Sequence, residues 1–357
     1  MEPAIPQSVN GRPASPGWRE LTVVFLLIVS MLYGATYEPW VRATAQDRVK
    51  DVADYVTMSY GDYGSVSIEH RYRPLVPAAA GWVRAHTSLA GQHTTMAETL
   101  PFYFVNFTLV ALTTLLLYLA LRRLGFDAGY GLLGAAMFMT GRIVIESAAL
   151  PMADAPYWLA IAAISLLVIE RRPVAFALLA PVCVLAKEPI IPFLLLPVLC
   201  EREFRRPAVY AGLAAAAAAY LGQRWVVDHV LVVGAVAPSQ AIDATGVATA
   251  TASLGVAWDG VLKLFTRWGV HDANSAFMLL VPVAIAGWWM DRRRGGGGGG
   301  GGERGTLAIP RTFFAAIPVV ALYAFMSGTL GRQIEAAFPI VIPYAVLVVY
   351  RLGAGRG

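Results

Sequence analysis

The segment Ala45 to Pro77, AQDRVKDVADYVTMSYGDYGSVSIEHRYRPLVP, gathers acids, bases, tyrosines and a histidine between two long apolar stretches. On a helix at about 100° per residue, Asp47, Asp51 and Asp54 share one stripe, while Val49, Val52, Val56 and Tyr60 occupy the opposite side. Carboxylates in that arrangement suit general-base chemistry, and the plainer alternative is a solvated acidic face. Such a helix is predicted to lie in a membrane interface, valines down and carboxylates up. Gly61 and Gly64 allow a turn, after which His70, Arg71 and Arg73 return positive charge toward the membrane ahead of Pro74 and Pro77.

The elements that hold this segment are lipid-soluble. Of 357 residues, 57% are apolar and only 14% charged, and the mean hydropathy is +0.58. Apolar runs recur at 21–37, 101–121, 128–146, 155–169, 173–186, 189–200, 208–221, 273–290, 312–326 and 336–349. A run of about twenty such residues crosses a hydrocarbon core, and the expected fold is an all-α, polytopic transmembrane helical bundle of ten spans. Residues 1–20 read as a disordered cytoplasmic tail and 21–350 as the transmembrane domain. The first run could pass for a signal peptide, but the helices after it need it as a span to keep their orientation consistent.

Arginines set the orientation. Arg122-Arg123, Arg171-Arg172, Arg202 with Arg205-Arg206, Arg292 to Arg294, and Arg351 with Arg356 all fall on one side of such a bundle. The positive-inside bias makes that side cytoplasmic, together with both termini. The loops 38–100 and 222–272 then face the periplasm or exterior, with juxtamembrane helices expected in the first. The net charge of +5 is thereby accounted for by topology, and no nucleic-acid partner is implied. The cytoplasmic connection 291–311 contains the glycine run Gly295 to Gly302, which reads as a flexible linker. The run Ala214 to Ala219 reads as a surface for close helix packing. Cys183 and Cys200 fall in apolar runs near opposite faces and are not expected to pair.

Further charges cluster at the outer ends of the spans. Glu146 and Asp154 bracket the second outer turn, with Arg142 one helical turn before Glu146 and able to pair with it. Asp154, ahead of Ala155-Pro156, also suits a plain helix N-cap. Lys187 and Glu188 sit in a tight hairpin, as a neutralised pair or as binding groups. Arg332 and Glu335 stand at the last outer turn, where snorkelling alone would explain an arginine. His70, His86 and His93 lack the spacing of a zinc site.

DVADY, a glycine nine residues after its tyrosine, and HRYRPLVP together resemble the first periplasmic loop of the GT-C glycosyltransferases. These polytopic membrane enzymes use polyprenyl-phosphate-linked sugars, and the likeness is to the protein mannosyltransferase and aminoarabinose transferase group. The resemblance implies a catalytic role for Asp51, which stands four residues before Tyr55, with Asp54 the neighbouring acid and Asp154 the second-loop acid. It implies donor-phosphate or substrate contacts for His70, Arg71, Arg73, Glu146, Lys187, Glu188 and Arg332; for the two arginines, anionic lipid headgroups are the alternative. The implied partners are a polyprenyl-phosphate sugar, membrane lipids and a glycan, lipid or protein acceptor. The implied location is the bacterial inner membrane. A divalent metal shared by Asp51, Asp54 and Asp154 is the one cofactor the resemblance allows. Two other classes stay open: a secondary transporter, which calls for midplane polar groups, and a non-catalytic membrane assembly protein.

Overall fold

With no water to satisfy backbone groups in lipid, apolar runs close their hydrogen bonds within helices. The computed structural model describes residues 16–45, 50–232, 280–295, 307–326 and 330–354, with the isolated positions Leu262, Thr266, Arg267 and Phe277. Among these residues the regular structure is entirely helical. The long helices are α1 (Trp18–Ala45) and α5 (Thr95–Arg123), joined by the short α2 (Lys50–Ser59), α3 (Ile68–Arg71) and α4 (Leu75–Ala85). Then follow α6 (Ala128–Met139), α7 (Arg142–Ala149), α8 (Ala155–Ile169), α9 (Pro173–Cys183), α10 (Ile190–Cys200) and α11 (Pro207–Val226). The chain closes with α12 (Leu280–Gly295), α13 (Arg311–Met326), α14 (Leu330–Ile334) and α15 (Phe338–Ala354).

Among the described residues, three stretches are long and apolar enough to cross a membrane: Trp18–Arg42, Thr95–Arg123 and Arg332–Gly353. The chain is an all-α membrane protein. Helices α6 and α7 make a fourth crossing if taken together, although 70° separates their axes. The run 128–146, expected as one span, breaks because Thr140 turns its hydroxyl back onto the Met137 carbonyl (3.1 Å) and Gly141 takes an extended conformation. Helices α8, α9, α10 and α13 are apolar but shorter. Asp47 and Val49, the tail before residue 16, residues 296–306 and nearly all of 233–279 lie outside the described residues.

The main core is built where α5, α6, α8 and α15 meet. Phe138 packs edge-on against Trp158, with ring centroids 6.2 Å apart, and against Phe338 at 5.0 Å. Helices α9 and α11 touch backbone to backbone, since a Cβ at Gly212 would stand 2.5 Å from the Ala177 carbonyl oxygen. The alanine run behaves differently from expectation. Ala216 is buried, but Ala214, Ala215, Ala217 and Ala218 face outward, because a helix packed on one neighbour buries only one face.

A second, smaller core lies under the loop that follows α1. Val52, Tyr55 and Val56 of α2 pack with Val76 and Ala80 of α4, Phe102 of α5 and Val227 beyond α11. The valines therefore do not rest on lipid as expected; the loop folds a core of its own beneath them. Gly81 lets α4 close on α2, since a Cβ there would collide with the Ser59 carbonyl oxygen. Tyr60, expected on the apolar side, is exposed and stacks on the Arg84 guanidinium at 3.4 Å.

One end of the bundle carries the arginine clusters, most of them answered by an acid, while Arg205 donates to the Val198 and Leu199 carbonyls at 3.1 and 2.8 Å. Arg122 pairs with Glu20 (2.9 Å), Arg123 and Arg172 with Glu170 (2.7 and 2.8 Å), Arg171 with Glu203 (3.2 Å) and Arg351 with Asp291 (3.2 Å). A second group of charges, among them Asp51, Asp154, Lys187 and Arg332, gathers near the opposite helix ends.

Candidate functional site

Helix α2 is short, so its position depends on Gly81 and the small core, and that core points Asp51 and Asp54 away from the valines. Gly61, with φ of +88°, ends the helix in the left-handed region that favours glycine. Asp62 then nucleates the turn by accepting from the Gly64 and Ser65 amides at 3.0 and 3.1 Å. The turn delivers Ser67 and His70 beneath Asp54. The Asp54 Oδ2 atom accepts from the Ser67 hydroxyl and lies 2.8 Å from His70 Nδ1. Burial raises the Asp54 pKa, but the bonds from Ser67 and His70 outweigh it and hold the carboxyl below its ordinary value.

Asp51 is drawn into the same cluster from two sides. Its Oδ1 faces His70 Nε2 at 3.6 Å, and its Oδ2 accepts from Arg332 Nη1 at 3.1 Å. Arg332 also approaches Asp154 Oδ2, 3.9 Å from its Nε. Asp154 occupies the N-cap position of α8, yet its side chain makes no capping bond. It accepts instead from Lys187 Nζ at 2.6 Å, and both side chains are below one-tenth exposed. Burial opposes ionisation of Asp154, but Lys187 and Arg332 prevail and hold its pKa at about 2. Burial likewise pushes the Lys187 ammonium down, with Asp154 opposing. Asp154 stays ionised because two cations, Lys187 and Arg332, face that one carboxylate.

Lys187 and Glu188 are adjacent in sequence but separate in partnership. Glu188 faces Arg73 Nε at 3.5 Å and Arg224 Nη2 at 3.6 Å. Arg73 also donates to the Tyr55 hydroxyl at 3.2 Å. Burial raises the Tyr55 pKa to about 12, so the phenol stays neutral under this arginine. The network thus joins α2, the turn through Ser67 and His70, Arg73, the N-terminus of α8, the α9–α10 hairpin and α14. Asp51, Asp54, His70, Arg73, Asp154, Lys187, Glu188 and Arg332 all belong to it.

Two candidates stand apart. Arg71 turns inward to the Gly64 and Val66 carbonyls at 3.1 and 3.2 Å, bracing the loop. Glu146 pairs with Arg142 at 2.7 Å, one turn along α7. Glu335 is fully buried, and among the described residues neither of its carboxylate oxygens has a hydrogen-bond partner. Sequence reasoning missed Arg224. Its guanidinium lies 4.3 Å from the Tyr72 ring and 4.8 Å from the Tyr220 ring, while Tyr72 donates to Asp228 at 2.8 Å. The available signal was Tyr220 four residues before Arg224, one helical turn apart on α11.

A divalent ion shared by Asp51, Asp54 and Asp154 does not fit this donor set. Each carboxylate is already matched by a cation or an imidazole, and among the described residues no three metal-ligating side chains converge. A separate shallow apolar recess lies between α8, α10, α13 and α15, lined by Ile161, Phe193, Phe313, Val320 and Ile340. It contains none of the charged groups. Compared with family models, with curated proteins and with solved structures, the chain has no match in any of the three.

Proposed function

We propose that this chain is a GT-C-type membrane glycosyltransferase, moving a sugar from a polyprenyl-phosphate donor to a glycan, lipid or protein acceptor at the outer face of the bacterial inner membrane. The observation that carries the proposal is the convergence of Asp51, Asp154, Lys187, Arg73 and Arg332, drawn from separate stretches of the chain, into one charged cluster. The bundle crosses the membrane ten times, its arginine-rich end in the cytoplasm and both termini with it. Alternation of helix ends between the paired arginines and the mixed cluster supports that count. Polar groups gathered near one set of helix ends suit interfacial chemistry better than passage, which would need them at the midplane.

In this reading Asp51 is the base. It takes the proton of the acceptor hydroxyl as that oxygen attacks the anomeric carbon, with inversion, and the bond to phosphate breaks with its electron pair on the leaving oxygen. Arg73 and Arg332, each only partly buried, meet the phosphate charge. Lys187 holds Asp154 ionised, and Asp154 helps to hold Arg332. The apolar recess offers a surface for a lipid chain. The test is Asp51→Asn assayed for transfer from a radiolabelled polyprenyl-phosphate sugar. Transfer is lost by about 10²- to 10⁴-fold with thermal stability kept; wild-type transfer in that variant removes Asp51 from the role.

A further inference from the structure

Between Asp51 and Asp54 lies a histidine with a carboxylate on each ring nitrogen. His70 Nδ1 is 2.8 Å from Asp54 Oδ2, and Nε2 is 3.6 Å from Asp51 Oδ1. The ring is buried and tilts against the Tyr55 ring, with centroids 5.1 Å apart, so its orientation is set by packing as well as by hydrogen bonds. The groups facing it are Asp51, Asp54 and Tyr55 from α2 and Ser67 from the preceding turn. Beyond them, Arg332 of α14 sits on the far oxygen of Asp51, and Arg73 sits on the Tyr55 hydroxyl.

We infer that His70 is a positioning residue that receives, through Asp51, the proton removed from the acceptor. The inference rests on Asp51 being the base. An ionised Asp54 beside Nδ1 calls for an N–H at that nitrogen, and a neutral imidazole then has its lone pair on Nε2, facing Asp51. The carboxyl of Asp54 is held below its ordinary value, which keeps it an acceptor. As the sugar–oxygen bond forms, the acceptor proton goes to Asp51 Oδ1. It then passes to Nε2, whose lone pair forms the new N–H bond, while Nδ1–H stays with Asp54. Asp51 becomes a carboxylate again, paired with Arg332, and the imidazolium stands between two carboxylates until it loses a proton to water. Asp54 does not touch the reacting atoms; it fixes which nitrogen of His70 is free.

The experiment uses the full chain in lipid nanodiscs. The other histidines, His86, His93, His229 and His271, are replaced by Gln so that nitrogen NMR of ¹⁵N-histidine reports His70 alone. The expected neutral form carries its proton on Nδ1 and leaves the lone pair on Nε2; an Nε2–H tautomer overturns the relay. In parallel, transfer from the radiolabelled polyprenyl-phosphate sugar is followed against pH. His70→Gln is expected to change the shape of that profile, because the proton then leaves Asp51 without the imidazole, and to lower the rate by about 10- to 100-fold. If Asp51→Asn is inactive but His70→Gln keeps both the wild-type rate and the wild-type profile, the relay fails and the base remains. If Asp51→Asn transfers normally, the base fails and the relay with it. Because the tautomer is read on a chain that keeps His70, misfolding of His70→Gln does not blunt the test.

Discussion

The two charged ends of this bundle use the same residue types to different ends. Where the arginine clusters lie, the pairs run from wet to buried and only Glu170 takes two arginines: Arg171, with three-quarters of its side chain exposed, meets Glu203 alone, while the Arg351–Asp291 pair is buried. At the opposite helix ends each central group is shared. Arg332 reaches Asp51 and Asp154, His70 reaches Asp51 and Asp54, and Glu188 lies between Arg73 and Arg224. Exposed pairs contribute about 0 to 1 kcal/mol. Taking charges out of water costs several kcal/mol per ion, and a well-packed apolar pair would hold the fold at least as well. A buried, shared network is therefore poor evidence of stabilisation and better evidence of charges held ready for a ligand.

The sharpest way to break that contrast is at Lys187. Lys187→Ala strands the Asp154 carboxylate and is expected to cost about 3 to 5 kcal/mol in unfolding measured in detergent. The double change Lys187→Met with Asp154→Leu is expected to recover most of that stability while leaving no transfer activity. Recovered activity would make the pair structural. Next in size, Gly81→Val drives a side chain into the Ser59 carbonyl and lifts α4 from α2. Its expected cost is about 1 to 3 kcal/mol, with transfer falling further than the stability loss explains, because α2 carries Asp51 and Asp54.

Acid gives a weaker handle on the same cluster. The Asp154 pKa falls from 3.8 to about 2 on folding, so its stabilisation is present above pH 4 and is lost as pH falls from about 4 toward 2. Thermal unfolding followed through that window is expected to show a steeper loss in wild type than in Asp154→Asn. Glu335→Leu removes a buried carboxylate that has no hydrogen-bond partner among the described residues, and it is expected to leave stability unchanged or raise it by about 1 kcal/mol. Smallest of all, Arg171→Ala at the arginine-rich end is expected to shift unfolding by less than about 0.5 kcal/mol and to leave transfer intact. A large effect there would erase the distinction between the two ends.

Much of the architecture was legible before any coordinates. Helix α8 fills the apolar run 155–169, and Arg142 pairs with Glu146 as their one-turn spacing implies. The break at Thr140-Gly141 was less legible, because the two residues sit in an apolar run whose average conceals them. Asp154 shows the limit most clearly. Its place before a proline-started helix reads as a cap, yet the side chain leaves the helix for Lys187. Adjacency misled at Lys187-Glu188 for the same reason, since neighbours in a hairpin can face different partners. Arg71 and Arg73 look equivalent in HRYR, but one braces a loop and the other joins the cluster.

Residue order alone establishes that the chain is helical, that it belongs in a membrane and that paired arginines recur in the gaps between alternate apolar runs. Those properties are sums over a local window: hydropathy along a run, and charge beside it. Which acid meets which cation is not a local property. Asp51 and Arg332 are 281 residues apart, and Asp154 and Lys187 are separated by 33. Their pairing depends on how α2, α8, the α9–α10 hairpin and α14 pack, down to a glycine that admits α4 against Ser59. Packing alone brings the aspartates of the first loop to a histidine, an arginine and a second acid, where a carboxylate can be held ready to take a proton.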